Sequence, residues 1–203
     1  GVNFDDFAQT HDLPVSVPDN TRFVLSVGRL VEYKGHQKVI ESFARLKALG
    51  PVSNDLKLVI VGSGPYRRKL EELVGRFKLE KDALILSNLK REEVIGLYQK
   101  CQLFILLSRF ESCSISVVDA LAARKPIIVS SNSALLDFVR KKLAVGIPYP
   151  SEADYVAKKM QEVLENPREF VAMNPELASW DEIAHKLKEL YSDELQDEHT
   201  AIE

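Results

Sequence analysis

Two cysteines in 203 residues, Cys101 and Cys113, are too few and too unlike a ligand pair in spacing to frame a disulfide scaffold or a structural zinc site. That scarcity suits a reducing compartment, and a cytoplasmic location is the expectation. No apolar run approaches the roughly 18–20 residues that cross a bilayer, and no signal peptide is visible. Peripheral contact with the inner face of a membrane stays open, carried by another part of the polypeptide. An excess of basic charge is also lacking: 27 Lys and Arg stand against 30 Asp and Glu, a net charge of −3. No broad cationic field therefore argues for nucleic acid, although a local cationic pocket for a small anion is compatible with that balance. A full G-x-G-x-x-G fingerprint is missing, because Gly62 and Gly64 begin one but Arg67 stands where the third glycine belongs. A dinucleotide-cofactor site is disfavoured on that ground; the glycines are read as places where the backbone passes close to a neighbour.

What is present is an ordinary globular composition, 45% hydrophobic and 28% charged, organised as an alternation. Short runs rich in Val, Ile and Leu, "RFVLSVG", "LKLVIVG", "ALIL", "LFILLS", "PIIVS" and "LAVGI", are separated by helical stripes. The first stripe is Val39, Ile40, Phe43 and Leu46, and the third is Val94, Leu97, Tyr98 and Cys101. Continuous apolar strands suit burial on both faces, and the βαβα order predicts an α/β fold with a doubly wound, Rossmann-like parallel sheet. Polar helices over Ala153–Glu165 and from Asp181 to about Leu195 close the series. Residues 21–195 are expected to form the domain, and the acidic end, 196–203, is expected to be disordered. The opening "GVNFDDFAQTHDLPVSVPDN" has no methionine and no clear period; residues 1–20 are read as the remnant of an interdomain linker.

In an open α/β sheet the ligand lies beyond the carboxyl ends of the strands, so the residues just after each strand are the candidates. Gly28, Arg29, Lys34 and Gly35 follow the first strand, two cations at the mouth of a helix that suit a phosphate. Ser87 or Asn88 follows the third strand and reads as a helix cap. The fourth strand leads into "ESCSISVVDALAARKPIIVSS": Glu111, then the small Ser112, Cys113 and Ser114, then a helix carrying Asp119 among apolar neighbours. A carboxylate in a buried-looking helix calls for a partner.

These residues together resemble the C-terminal domain of the retaining GT-B glycosyltransferases (glycosyl transferases group 1), a family that includes sucrose synthases and bacterial mannosyltransferases. Its hallmark string is S-x-x-E-G-F-G-x-x-x-x-E-A-x-A-x-G-x-P-V-V-x-S, and here Ser108, Glu111, Asp119, Ala120, Ala122, Pro126 and Ser130 fall in register. The G-R-x-x-x-x-K-G element matches from Gly28 to Gly35. Departures are the shorter Asp119 in place of the second Glu, and Ser112, Cys113 and Ser114 in place of G-F-G.

The resemblance implies transfer of a sugar from a nucleoside-diphosphate sugar, with retention and without a bound metal or other cofactor. A UDP- or GDP-sugar is favoured over an ADP-sugar. Arg29 and Lys34 would meet the leaving diphosphate, helped by the N–H groups of Ser114 and Ile115. Glu111 would bind the transferred sugar, Asp119 the ribose hydroxyls, and the backbone of Asn88 and Leu89 the base, with Gly28 and Cys113 lining the site. It also implies an N-terminal domain, absent here, that carries the acceptor site; the fragment alone would then be inactive. The acceptor would be a glycan or lipid-linked saccharide of cell-surface polysaccharide synthesis. The alternative is a non-catalytic nucleotide-sugar-binding or partner-binding domain on the same fold, which the substitutions at 112–114 and 119 keep open.

Overall fold

The computed structural model describes residues 1–50, 53–173, 175 and 177–200. Six strands form one parallel sheet: β1 (Arg22–Val27), β2 (Leu56–Val61), β3 (Ala83–Leu86), β4 (Leu103–Leu106), β5 (Ile127–Ser130) and β6 (Val145–Ile147). Their order across the sheet is β3-β2-β1-β4-β5-β6, the doubly wound arrangement that the alternation of runs and stripes predicts. β1 pairs with β2 through Arg22↔Leu56 to Val27↔Val61, and with β4 through Val24↔Leu103 and Leu25↔Phe104. The winding reverses between β1 and β4. That reversal opens a crevice at their carboxyl ends.

Side chains alternate across the sheet and both faces are apolar, which explains why the strands read as unbroken hydrophobic runs. Val24, Leu58, Ile60, Ile105 and Ile128 point to one face, beneath α2 (His36–Lys47), α3 (Arg67–Arg76) and α7 (Ala153–Glu165). Phe23, Leu25, Val59, Phe104 and Val129 point to the other, beneath α4 (Arg91–Lys100), α5 (Ile115–Ala122) and α6 (Leu135–Arg140). In α2 the stripe Val39, Ile40, Phe43 and Leu46 is fully buried, and Arg45 and Lys47 complement the dipole in its last turn. A short α1 (Phe4–Ala8) precedes the sheet, and Val2 pairs with Ser179 just before α8 (Trp180–Thr200).

Two sequence expectations change. Helix α8 continues to Thr200, so helix replaces the disorder expected from 196 onward as far as that residue; 201–203 lie outside the described residues. The cap of α4 is Lys90, whose N–H donates to Glu93 Oε2 at 2.8 Å, rather than Ser87 or Asn88. Asn88 instead sits in the left-handed region, with φ 57°. Among the described residues no helix is long and apolar enough to cross a membrane.

Candidate functional site

At the reversal point two loops are tied edge to edge. After β1 the chain makes a 3-10 turn over Glu32–Lys34 and enters α2 through Gly35, whose φ is 75°. A Cβ on Gly35 would lie 2.0 Å from the Leu107 carbonyl oxygen, so only glycine lets this turn lie against β4. The contact is then stitched by polar groups. The Arg109 N–H donates to the Tyr33 carbonyl at 2.7 Å, the Ser108 hydroxyl lies 2.9 Å from the Phe110 carbonyl and 3.1 Å from that of Tyr33, and Ser130 Oγ donates to the Ser108 carbonyl at 2.5 Å. This clamp brings Lys34 Nζ to 2.6 Å from Glu111 Oε1, with the carboxylate side chain only 6% exposed. The Glu111 N–H is held by Ser133 Oγ at 3.0 Å. The two residues are 77 positions apart in the chain.

The second acid has its own partner. Asp119 lies inside α5, 6% exposed, and accepts two hydrogen bonds from Arg91 at the first position of α4: Nη1 to Oδ2 at 2.8 Å and Nη2 to Oδ1 at 3.0 Å. This two-pronged geometry is the strong form of a carboxylate–guanidinium contact. Hydrogen bonding to Asp119, against the cost of burial, pushes the Arg91 pKa upward. Between the two ion pairs lies a cleft of about 320 Å³. Of the residues proposed from the sequence, Gly28, Lys34, Glu111, Cys113, Ser114, Ile115 and Asp119 line it. Arg29, Asn88 and Leu89 do not: Arg29 is exposed and donates from Nη2 to Tyr33 Oη at 2.5 Å, and Leu89 packs into the core beneath α4. No side chain caps α5, because Ser114 Oγ turns to Ser116 Oγ at 3.2 Å. The Val117 and Val118 N–H groups bond to the Ser114 carbonyl, which leaves those of Ile115 and Ser116 for the cleft these residues border, a position suited to an anion.

Arg91, Tyr98 and His36 escape the sequence reading. Arg91 lies after β3 on the strand-end rim, in a charged first turn that reads equally well as helix capping. Tyr98 reads only as part of an apolar stripe, yet it lines the cleft and its Oη is buried with no hydrogen-bond partner among the described residues. Burial, and secondarily the charge of Asp119, hold the Tyr98 hydroxyl well above its usual pKa, so it is a neutral donor. His36 is fully buried, with Nδ1 3.1 Å from Ser26 Oγ and Nε2 unpartnered. Burial lowers its pKa to about 4; the Gly28 and Arg29 backbone opposes that shift, though no hydrogen bond to Nε2 forms. Among the described residues no three His, Cys, Asp or Glu side chains are grouped to hold a metal ion.

The family model described as glycosyl transferases group 1 matches residues 9–184. The chain belongs to this family. An uncharacterised glycosyltransferase of Methanocaldococcus jannaschii is 28% identical over 184 residues, 87% of this chain and 46% of the relative. The chain thus spans about half the length of that relative. Sucrose-phosphate synthase from Thermosynechococcus elongatus superposes with a TM-score of 0.78 at 22% identity, over 97% of this chain and 52% of that one. A trehalose-6-phosphate structure from E. coli, bound with UDP-2-fluoro glucose, superposes with a TM-score of 0.68 at 16% identity, covering 82% and 43%. These structural likenesses place the group 1 chain on the Rossmann-like fold of GT-B glycosyltransferases.

Proposed function

We propose that this domain binds the donor of a retaining glycosyltransferase, holding a nucleoside-diphosphate sugar in the cleft between the Lys34–Glu111 and Arg91–Asp119 pairs. The observation that carries the reading is the convergence of two cations, two carboxylates and an uncapped helix start on one cleft at the β1/β4 reversal. The fold neighbour from E. coli is bound with UDP-2-fluoro glucose, which supports a uridine nucleotide as the first donor to try.

The division of labour follows from the chemistry of each group. As the bond from the anomeric carbon to the diphosphate breaks, negative charge grows on the leaving oxygen and positive character on the sugar ring. The Lys34 ammonium has three donors and gives one to Glu111, so it can bridge that carboxylate to the phosphate. The N–H groups of Ile115 and Ser116 meet the same charge from the other side without reorganising. Glu111 accepts hydroxyls of the transferred sugar. Asp119, fixed by Arg91, has lone pairs left for the ribose hydroxyls, and Tyr98 supplies a buried donor nearby. Arg29 reaches the phosphate only by leaving Tyr33, so Lys34 is the cation already in place. The acceptor belongs to a further domain of the whole enzyme, in keeping with relatives about twice as long.

Calorimetric titration of this domain with UDP-, GDP- and ADP-glucose, repeated with Asp119→Ala, tests the reading. Saturable binding of one nucleotide sugar that weakens about tenfold in the variant is expected, with a cooperative melting curve showing that the variant is still folded at the titration temperature. Binding that is indifferent to Asp119 would place the nucleotide elsewhere and sink the assignment.

A further inference from the structure

The clamp between the β1–α2 turn and the β4 loop has a second side. Behind it, on the α2/α7 face of the sheet, lies a larger cavity of about 450 Å³ that shares no residue with the nucleotide cleft. Its walls are the 3-10 turn, the first turn of α2, Arg109, and the β6–α7 connection over 148–152. A cavity of this size suits one or two sugar rings, within the range of small-ligand sites.

The chemistry of the walls is specific. Tyr33 and Tyr149 border it, 38% and 47% exposed, and offer amphipathic ring faces. Gln37 donates its Nε2 to the Glu32 carbonyl at 2.9 Å, which settles the amide's orientation and leaves Oε1 buried with no partner among the described residues. A buried acceptor left unmade is costly, and a rotation of the Gln37 side chain toward the cavity would let Oε1 accept the ligand hydroxyl it lacks. Three charged side chains complete the wall, Glu32, Glu152 and Arg109, and none has an ion-pair partner among the described residues. Lys38 is the remaining charge and is engaged by Glu41 at 2.8 Å. With Lys38 engaged, two carboxylates face one unpaired cation, which disfavours a phosphate and favours an uncharged ligand with many hydroxyls.

We propose that this cavity is a second binding site, for an uncharged saccharide, either free or as the end of a glycan chain. The site is distinct from the nucleotide cleft and does not rest on the donor reading. The test is a titration of the ¹⁵N-labelled domain with methyl α-glycosides of glucose, galactose, mannose and N-acetylglucosamine, and with maltotetraose as the chain arm. Expected are saturable amide shifts at Tyr33, Gln37, Tyr149 and Ser151 with Cys113–Ser116 unmoved, and a loss of about tenfold in affinity in Gln37→Leu and in Tyr149→Ala. Unchanged spectra elsewhere in both variants show that the fold is kept. Tighter binding of maltotetraose than of any single ring identifies the source as a chain end, and equal binding identifies a free sugar. Overturning results are shifts confined to the nucleotide cleft, full affinity in both variants, or no saturable shift from any of these sugars up to tens of millimolar.

Discussion

Each of the two carboxylates in the cleft is held by a cation from a different element, and the two pairs differ in what they lose on truncation. Lys34 is 17% exposed and Glu111 6%. On the proposed donor role, Lys34→Ala in a glycosyltransferase that carries this domain should lower turnover by roughly 10²–10³-fold, the usual effect of removing one charge-stabilising donor; steady-state kinetics with near-normal turnover would remove Lys34 from the mechanism. Arg91 is 45% exposed while Asp119 is buried, so Arg91→Ala strands a buried charge although the arginine itself is only half out of water. A cost of about 1–3 kcal/mol is expected, below the full penalty for a fully buried pair. Arg91→Ala combined with Asp119→Asn should recover part of it, and urea unfolding of the double-mutant cycle reads the coupling. At His36 the sign of the pH dependence is set by burial. Its folded pKa of about 4 lies below the usual 6.5, so the unfolded chain binds the proton first. Stability is fully present above about pH 6.5 and declines as pH falls toward 4, by roughly 3 kcal/mol if no other group compensates. His36→Gln should flatten that slope in melts taken across the same range.

Among the elements, the β1–α2 turn matters most, because both cavities share it as a wall. Its closeness to β4 depends on Gly35, where the left-handed backbone and the Leu107 carbonyl together exclude a side chain. Gly35→Ala should cost about 2 kcal/mol or more and, by moving the turn off β4, weaken nucleotide binding as well as stability. Gly62 is a second such approach, since a Cβ there would lie 1.9 Å from the Gly28 carbonyl oxygen. The truncated glycine fingerprint thus reflects one strand-end loop packing on another. Helices α4 and α5 each bring several residues to the cleft, Arg91, Val94 and Tyr98 from the first and Ile115, Ser116 and Asp119 from the second. The strand-end rule picks out α5 because small residues and an acid follow β4. It passes over Arg91 because a charged first turn reads equally well as capping, and Glu93 does cap the Lys90 N–H.

For the whole domain, the sheet with a covered face on each side is a rigid base for the rim, and ligand binding at the rim should be felt as global stability. A nucleotide sugar held at about one hundred times its dissociation constant should add about 2.7 kcal/mol, a rise in melting temperature of roughly 5–10 °C for a domain of this size. A melting point unmoved by a nucleotide sugar at that excess would show that calorimetric binding was not to the folded site.

By itself the sequence determined the layers: unbroken apolar strands between amphipathic stripes admit little but a parallel sheet with both faces covered, and the order of segments put Lys34, Glu111 and Asp119 on one rim. Tertiary structure alone decided the partners. Lys34 with Glu111, Arg91 with Asp119, and the orphaned Tyr98 hydroxyl and Gln37 oxygen are relations between elements far apart in the chain. Periodicity reports which way a side chain faces; what it meets there depends on how closely two loops can approach, which a glycine and a few hydrogen bonds settle only once the sheet is formed.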